Sequence, residues 1–386
     1  MEIIMKIAVI GMYYASNLGD AVICDCVAKW FRDLYPDAQV DVIDINGNKE
    51  FEIQPTVSLR ILRKRQKNLN RDYWLTKHDF DDKVFFWSSK NMENRMDFYR
   101  DVADRRYDAA VFAGGQIFMD WLSLDVCEFL KHFERVKTPV FFNACGAGIS
   151  VSKRIRQKVQ MHLGSENIKW ISTRDDVNKI KERYLSDEKE VSVTYDPALW
   201  TKETYGIPKK DNQVVGLGVM YCNQIQVRKL IRFWKGIIKE LDRKKIPWKM
   251  FCNGSMDDYN MAVNILQKLN LEKDKYLCPC ASYPEMLVEQ IASFKGIISF
   301  RLHSHIIAAS YEIPAVAIVW DEKLRFFYRH LKCEERCMTV DHSAASVVER
   351  FEYAIKEGYQ NDLLVEQRVE AKSKLLNKVK EYLNMF

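Results

Sequence analysis

An α/β fold of two doubly wound halves facing a cleft is predicted by three observations. Short β-rich apolar runs alternate with helix-length segments through most of the chain. A polar stretch at 200–212 interrupts that alternation, and the same pattern then restarts. Strands separated by helices need parallel sheets, because a parallel partner is reached only by a crossover.

The strands are expected at 6–12, 40–45, 109–113, 140–144, 170–173 and 191–195, then at 214–220, 248–252, 296–300 and 315–320. This divides the chain into a first half over 1–205, a second half over 206–340, and C-terminal helices over 341–386 packed on the outside. In the first helix, Val22, Ile23, Cys26, Val27, Trp30, Phe31 and Leu34 recur at the three-and-four spacing of one buried face. It starts at Asn17-Leu18-Gly19-Asp20 and stops before Pro36. The opening apolar run, MEIIMKIAVIG, lacks a small-residue cleavage site and reads as a strand, not a secretion signal.

Composition narrows the function classes. With 47% hydrophobic and 29% charged residues in 386, the chain is globular, and no apolar run approaches the roughly 18–20 residues that span a bilayer. The 10 cysteines form two CxC pairs and no CxxC, so reduced thiols in a cytoplasmic protein are expected rather than a disulfide framework or a metal knot. A net charge of +6 favours anionic ligands mildly and gives no ground for nucleic acid. Residues 60–77 carry seven Lys or Arg and one Asp with Tyr73 and Trp74. They form either a solvated insertion or a peripheral contact with an anionic membrane face.

Candidate chemistry lies where strands end, because parallel sheets bind ligands beyond their carboxyl ends. At 296–320 a strand runs into Arg301-Leu302-His303, a short helix, and a second strand after Pro314. A guanidinium and an imidazole beside a helix amino terminus suit a phosphate or carboxylate. Alternatively, Arg301 pairs with a structural carboxylate and His303 caps the helix. His305 makes an H-x-H with His303, but residues two apart point apart on a helix and no third ligand accompanies them, so no metal is expected. Lys323 either reaches an anion or faces water. In the first half, Asn17 or Asp20 can cap the helix. Asp20 is also a candidate proton acceptor. Gly114-Gly115-Gln116 and Gly146-Ala147-Gly148 mark tight turning or backbone contact with a ligand at strand ends, and Arg174 ends another strand on the same cleft edge, where it either meets the ligand or pairs with Asp175 or Asp176. No GxGxxG, GxSxG, Walker A or HExxH spacing occurs.

Taken in order, NLGD, AGGQIFMD, NACGAGIS, ISTRD, VTYDPAL and SFRLHSHIIAASYEIPAVAIVWDEK resemble the polysaccharide pyruvyl transferase family over roughly residues 6–332. The last block is the most specific. The resemblance implies two Rossmann-like halves of glycosyltransferase-B type and transfer of a pyruvyl unit from phosphoenolpyruvate to a sugar, forming a ketal and releasing phosphate. It implies that Arg301, Leu302, His303 and Arg174 bind the donor, and that Asn17, Gly19, Asp20, Gly114, Gly115 and Gln116 face the acceptor, a sugar or lipid-linked saccharide. His303 and Asp20 are the expected catalytic pair, with phosphoenolpyruvate as co-substrate and no cofactor or metal. Family members often have a third glycine where this chain has Gln116. The alternatives are a nucleotide-sugar glycosyltransferase of the same architecture and a non-catalytic protein binding anions or membrane through 60–77.

Overall fold

The computed structural model describes residues 4–51, 80–148, 152–185, 189–222 and 224–384. The basic segment 60–77 lies outside them. In the first half, β1 (Lys6–Gly11), β2 (Gln39–Asp44), β3 (Ala109–Phe112), β5 (Val140–Phe142), β7 (Ile168–Thr173) and β8 (Ser192–Val193) form a parallel sheet in the order β2-β1-β3-β5-β7-β8. In the second, β9 (Val215–Gly218), β10 (Trp248–Phe251), β11 (Gly296–Ser299), β12 (Ala315–Ile318) and β13 (Cys337–Met338) are parallel in the order β10-β9-β11-β12-β13. Both orders reverse direction once, between β1 and β3 and between β9 and β11. At such a switch point the connections leave to opposite faces and open a crevice.

Three short strands were not anticipated. β4 (Gly115–Phe118) and β6 (Cys145–Ala147) pair in a separate two-stranded ribbon that continues β3 and β5 past a shared break. The break is built from Gly114 and Gly115, at φ 141° and 85°, and from Ala144 at φ 51°. Asn143 Nδ2 holds it by donating to the Ala113 carbonyl at 3.2 Å. The third, β13, is only two residues long, too short for a periodic signal.

The first helix, Gly19–Leu34, buries Val22, Ile23, Cys26, Val27, Trp30 and Phe31 as its spacing predicts, with Leu34 half-buried. Its apolar face does not close a core within one half. It packs on the 3₁₀ turn Pro197–Trp200 and on the helix Leu302–Ser310, so Ile23, Trp30, Leu199, Ile306 and Ile307 share one apolar cluster. The C-terminal helix Asn361–Leu383 adds Leu364, Ala371, Leu375 and Val379 to that cluster, and Trp200 Nε1 donates to the Arg368 carbonyl at 2.7 Å. The two halves and the last helix are therefore bound by common apolar burial, the dominant favourable term in folding. All 10 cysteines are free thiols, seven of them buried. No helix among the described residues is long and apolar enough to cross a membrane.

His305 belongs to this interior. It is fully buried; its Nε2 lies 2.9 Å from the Ser299 carbonyl, and its Nδ1 lies 2.9 Å from the Tyr328 hydroxyl. The carbonyl can only accept, so Nε2 carries the proton and Nδ1 accepts from Tyr328. Burial pushes this imidazole down to about 4. The native state then binds fewer protons than the unfolded chain between pH 6.5 and 4, so this residue's contribution to stability is complete above pH 6.5 and is lost as acid is added. The difference amounts to about 3 kcal/mol. Comparing melting curves of the wild type and His305→Gln should show a flatter acid-side slope in the variant over that window; equal slopes would mean that His305 is not held neutral.

Candidate functional site

The carboxyl ends of the two sheets face each other across a cleft of about 700 Å³. Asn17, Asp20, Gln116, Arg174, Lys179 and Arg183 line it from the first half, and Arg301, Leu302, His303, Asp321 and Lys323 from the second. Five Lys or Arg against two Asp make it an electropositive recess.

His303 sits where the halves meet. It is 4% exposed, in the first turn of Leu302–Ser310, a helix whose residues are all buried. Its ring packs against Gly19 at the start of the first helix, so closely that a Cβ at residue 19 would fall inside the imidazole. Asn17 Nδ2 donates to Asp20 Oδ2 at 2.9 Å and lies 3.2 Å from His303 Nδ1. With Asp20 ionised, the Asn17 amide presents N–H to both neighbours. His303 Nδ1 then faces one N–H donor, and Nε2 faces another, the Arg174 Nη1 that lies 3.3 Å away and can only donate. Burial first, and then Arg174, Lys323 and Arg301, push His303 well below the usual histidine range, so the imidazole is neutral near pH 7.

Neither Asn17 nor Asp20 caps the first helix. The N-cap is Leu18 without a side-chain bond, and its N–H donates instead to the Asn253 carbonyl of the second half at 2.9 Å. The NLGD run is thus a bridge between halves. Burial pushes the Asp20 carboxyl up, although Arg174, Asn17, Lys323 and Arg301 all pull it down. Proton affinity above that of an ordinary carboxylate favours a general base.

Each arginine is braced by a buried carboxylate: Arg174 by one that is not its sequence neighbour, and Arg301 by a structural carboxylate of the kind its alternative reading named. Arg174 pairs with Asp196, not Asp175 or Asp176. Asp196 also accepts from Ala198 N at 2.8 Å and so caps the 3₁₀ turn that begins at Pro197. Asp176 caps its own helix instead. Arg301 Nε and Nη2 both reach Asp258 Oδ2, at 2.8 and 2.7 Å, while Asp258 Oδ1 accepts from Tyr221 N. Asp175 is buried against Gly146, whose missing side chain leaves it room.

Among the acceptor-side candidates, Gln116 reaches the cleft, but Gly114 and Gly115 lie behind it. A Cβ on Gly114 would meet Ile23, and one on Gly115 would meet Asp20 Oδ1, at 3.1 and 3.2 Å. Their left-handed conformations seat the first helix rather than form the wall. Gly19 likewise serves packing. Lys323 closes the cleft from the far side. Its Nζ donates to Gln116 Oε1 at 3.0 Å, lies 3.6 Å from Asp321 Oδ2 and sits 4.9 Å over the Trp320 ring. Burial holds this ammonium below the ordinary lysine range. Asp196 and Asp258 had no role assigned from sequence. The Asp-Pro pair was a cap signal for the first, and nothing local distinguishes the second. Among the described residues no group of three or more His, Cys, Asp or Glu is placed to hold a metal ion.

The Gly19–His303 contact makes a testable demand. Gly19→Ala forces the imidazole out of place, with an expected loss of about 1–3 kcal/mol. Denaturant melts should show it, and the His303 NMR titration should move up toward the ordinary histidine value. An unchanged titration would mean that His303 does not depend on that packing.

No curated relative is matched by sequence. Among solved structures, the chain is similar to S. aureus MnaA with UDP, at 12% identity and a TM-score of 0.57, covering 99% of this chain and 98% of that one. It is similar to a UDP-GlcNAc 2-epimerase from Methanocaldococcus jannaschii in complex with UDP-GlcNAc and UDP (10% identity, TM-score 0.56, 98% and 100% covered). A further likeness is to a putative UDP-N-acetylglucosamine 2-epimerase from Listeria monocytogenes (8% identity, TM-score 0.60, 100% and 98% covered). At these identities the likeness establishes the architecture, two Rossmann-like halves of glycosyltransferase-B type, and nothing about substrate. The polysaccharide pyruvyl transferase model matches residues 17–322, from the NLGD bridge to the helix that carries Lys323, and the chain belongs to that family.

Proposed function

We propose that the cleft binds phosphoenolpyruvate and transfers its pyruvyl unit to two hydroxyls of a sugar in a polysaccharide precursor. The observation that carries this reading is the convergence of His303, Arg174, Arg301 and Lys323 on one electropositive recess, with Asp20 on the same cleft. A compact ligand bearing both a phosphate and a carboxylate fits such a set, since each arginine offers directed N–H donors and the helix at Leu302 offers unpaired backbone N–H groups. The UDP enzymes share the architecture, and the same titration tests a nucleotide directly.

The steps follow from the donor's chemistry. A proton added to the methylene carbon leaves an oxocarbenium-like centre at the adjacent carbon. A sugar hydroxyl attacks that carbon and gives its proton to a base, for which Asp20 has the position and the raised proton affinity. The carbon–oxygen bond to phosphate then breaks, inorganic phosphate departs, and the second hydroxyl closes the ketal with loss of its own proton. A phosphate that takes the N–H groups of Arg174 leaves His303 Nε2 able to carry a proton and donate to the same anion. The donor's negative charges offset the surrounding cations, so the imidazole regains proton affinity on binding and can pass a proton during the reaction.

Calorimetric titration of phosphoenolpyruvate, with uridine diphosphate as control, tests the donor. Arg301→Ala strands the buried Asp258 carboxylate, which costs about 3–5 kcal/mol when such a pair is broken, so Arg301→Ala/Asp258→Asn is the cleaner variant. It should lose donor binding while remaining folded; tighter binding of the nucleotide than of phosphoenolpyruvate would move the assignment to glycosyl transfer. Binding should also take up protons near pH 7, seen as a dependence of the heat on the buffer's ionisation enthalpy, and affinity should rise as pH falls. His303→Gln should abolish the uptake. Asp20→Asn should lower turnover by about 10²–10⁴-fold with donor affinity retained. Near-normal turnover would remove Asp20 as the base.

A further inference from the structure

An exposed face beside the cleft combines large aromatic side chains with cations. In the helix Phe80–Glu93, the inward positions are Val84, Phe85, Ser88 and Met92, with Ser88 buried. The outward stripe is Lys83, Phe86, Trp87 and Lys90, which recur at intervals of three, one and three and therefore share one side of the helix. Phe86 is 66% exposed and Trp87 59%. Two large aromatics flanked by lysines on the solvent side are the reverse of an ordinary surface helix.

This stripe does not stand alone. Ser88 Oγ donates to the Asp120 carbonyl at 2.9 Å, which brings the helix against Trp121, itself 45% exposed and at the cleft wall. The Asp120 carboxylate in turn accepts from Ser152 N, at the cap of the helix Lys153–Leu163. That helix carries four Lys or Arg and no acid, and its Arg154 guanidinium lies 3.9 Å over the Phe85 ring. Lys153, Arg154 and Lys158 are exposed. The helix Phe80–Glu93 carries three acids, Asp81, Asp82 and Glu93, against its two lysines, and Asp82 pairs with Arg154, so the positive excess of this face comes from the helix Lys153–Leu163.

We infer that Phe86, Trp87 and Trp121, framed by the cations of these two helices, seat the protein on an anionic membrane surface with the cleft mouth beside the lipid. Aromatic rings enter the headgroup region while neighbouring lysines and arginines meet anionic lipid, and the two contributions act together. A second copy of the chain is a poorer occupant, because a two-fold contact through this face would set its cations against themselves. The consequence for catalysis, delivery of a membrane-borne saccharide to the cleft, rests on the pyruvyl-transfer reading; the lipid contact does not.

Sedimentation of the full chain with vesicles tests the contact without reference to turnover. Vesicles of phosphatidylcholine containing phosphatidylglycerol should carry the protein down, phosphatidylcholine alone should not, and high salt should weaken binding. Phe86→Ser/Trp87→Ser should reduce binding by about tenfold or more at unchanged melting temperature, because both side chains are exposed. Lys153→Gln/Lys158→Gln should reduce it further. Binding retained in the aromatic double variant would overturn the assignment, as would absence of binding to anionic vesicles. A wild-type dimer in solution that the double variant dissociates would assign the face to self-association instead and equally overturn it.

Discussion

A buried imidazole held from both halves at once is the contact on which the rest of the site depends. His303 belongs to the second half, yet its ring fills the space that a side chain on Gly19 of the first half would occupy, and Asn17 bonds to its Nδ1. The first helix and the Leu302–Ser310 helix can approach this closely only because residue 19 has no Cβ. Their approach in turn buries Ile23, Ile306 and Ile307 in one apolar cluster. Apolar burial supplies the attraction, and the glycine sets the distance.

That closure has an electrostatic consequence. Three cations and an imidazole brought into one buried recess repel one another, and burial alone opposes every charge among them. The fold answers by bracing Arg174 with Asp196 and Arg301 with Asp258, each acid fixed further by a backbone N–H. These pairs hold the guanidiniums in place without neutralising the cleft, which retains a positive excess along its lining. His303 is the group that yields, its proton affinity pushed down by burial and by the cations around it. Asp20, tied to His303 through the single amide of Asn17, is drawn into the same balance.

Much of this was legible in the chain. Alternating apolar runs located ten strands, and the spacing of Val22, Ile23, Cys26, Val27, Trp30 and Phe31 located the first helix and its buried side. Strand ends flagged Asn17, Asp20, Gln116, Arg174, Arg301 and His303, and all of them line one cleft. Where the structure departs from a local reading, the physical origin is common. Gly114 and Gly115 looked like ligand-facing turns, but they make room for the first helix. Asn17 looked like a cap, but its amide is spent on Asp20 and His303. Arg174 has carboxylates beside it in sequence, but it pairs with Asp196, beyond the helix Val177–Tyr184 and β8. In each case the residue type was read correctly as polar or turning, and the partner was not local.

The sequence by itself therefore determined which segments become strands and helices and which residues stand at strand ends, because those properties follow from periodicity and backbone preference within a few residues. Tertiary structure decided who meets whom: Asn17 with His303 across 286 positions, Arg174 with His303 across 129, Lys323 with Gln116 across 207. Those pairings set the protonation states and the charge of the cleft. A proton's affinity depends on burial and on charges within a few ångströms, and distance in space is what the linear order of residues does not contain.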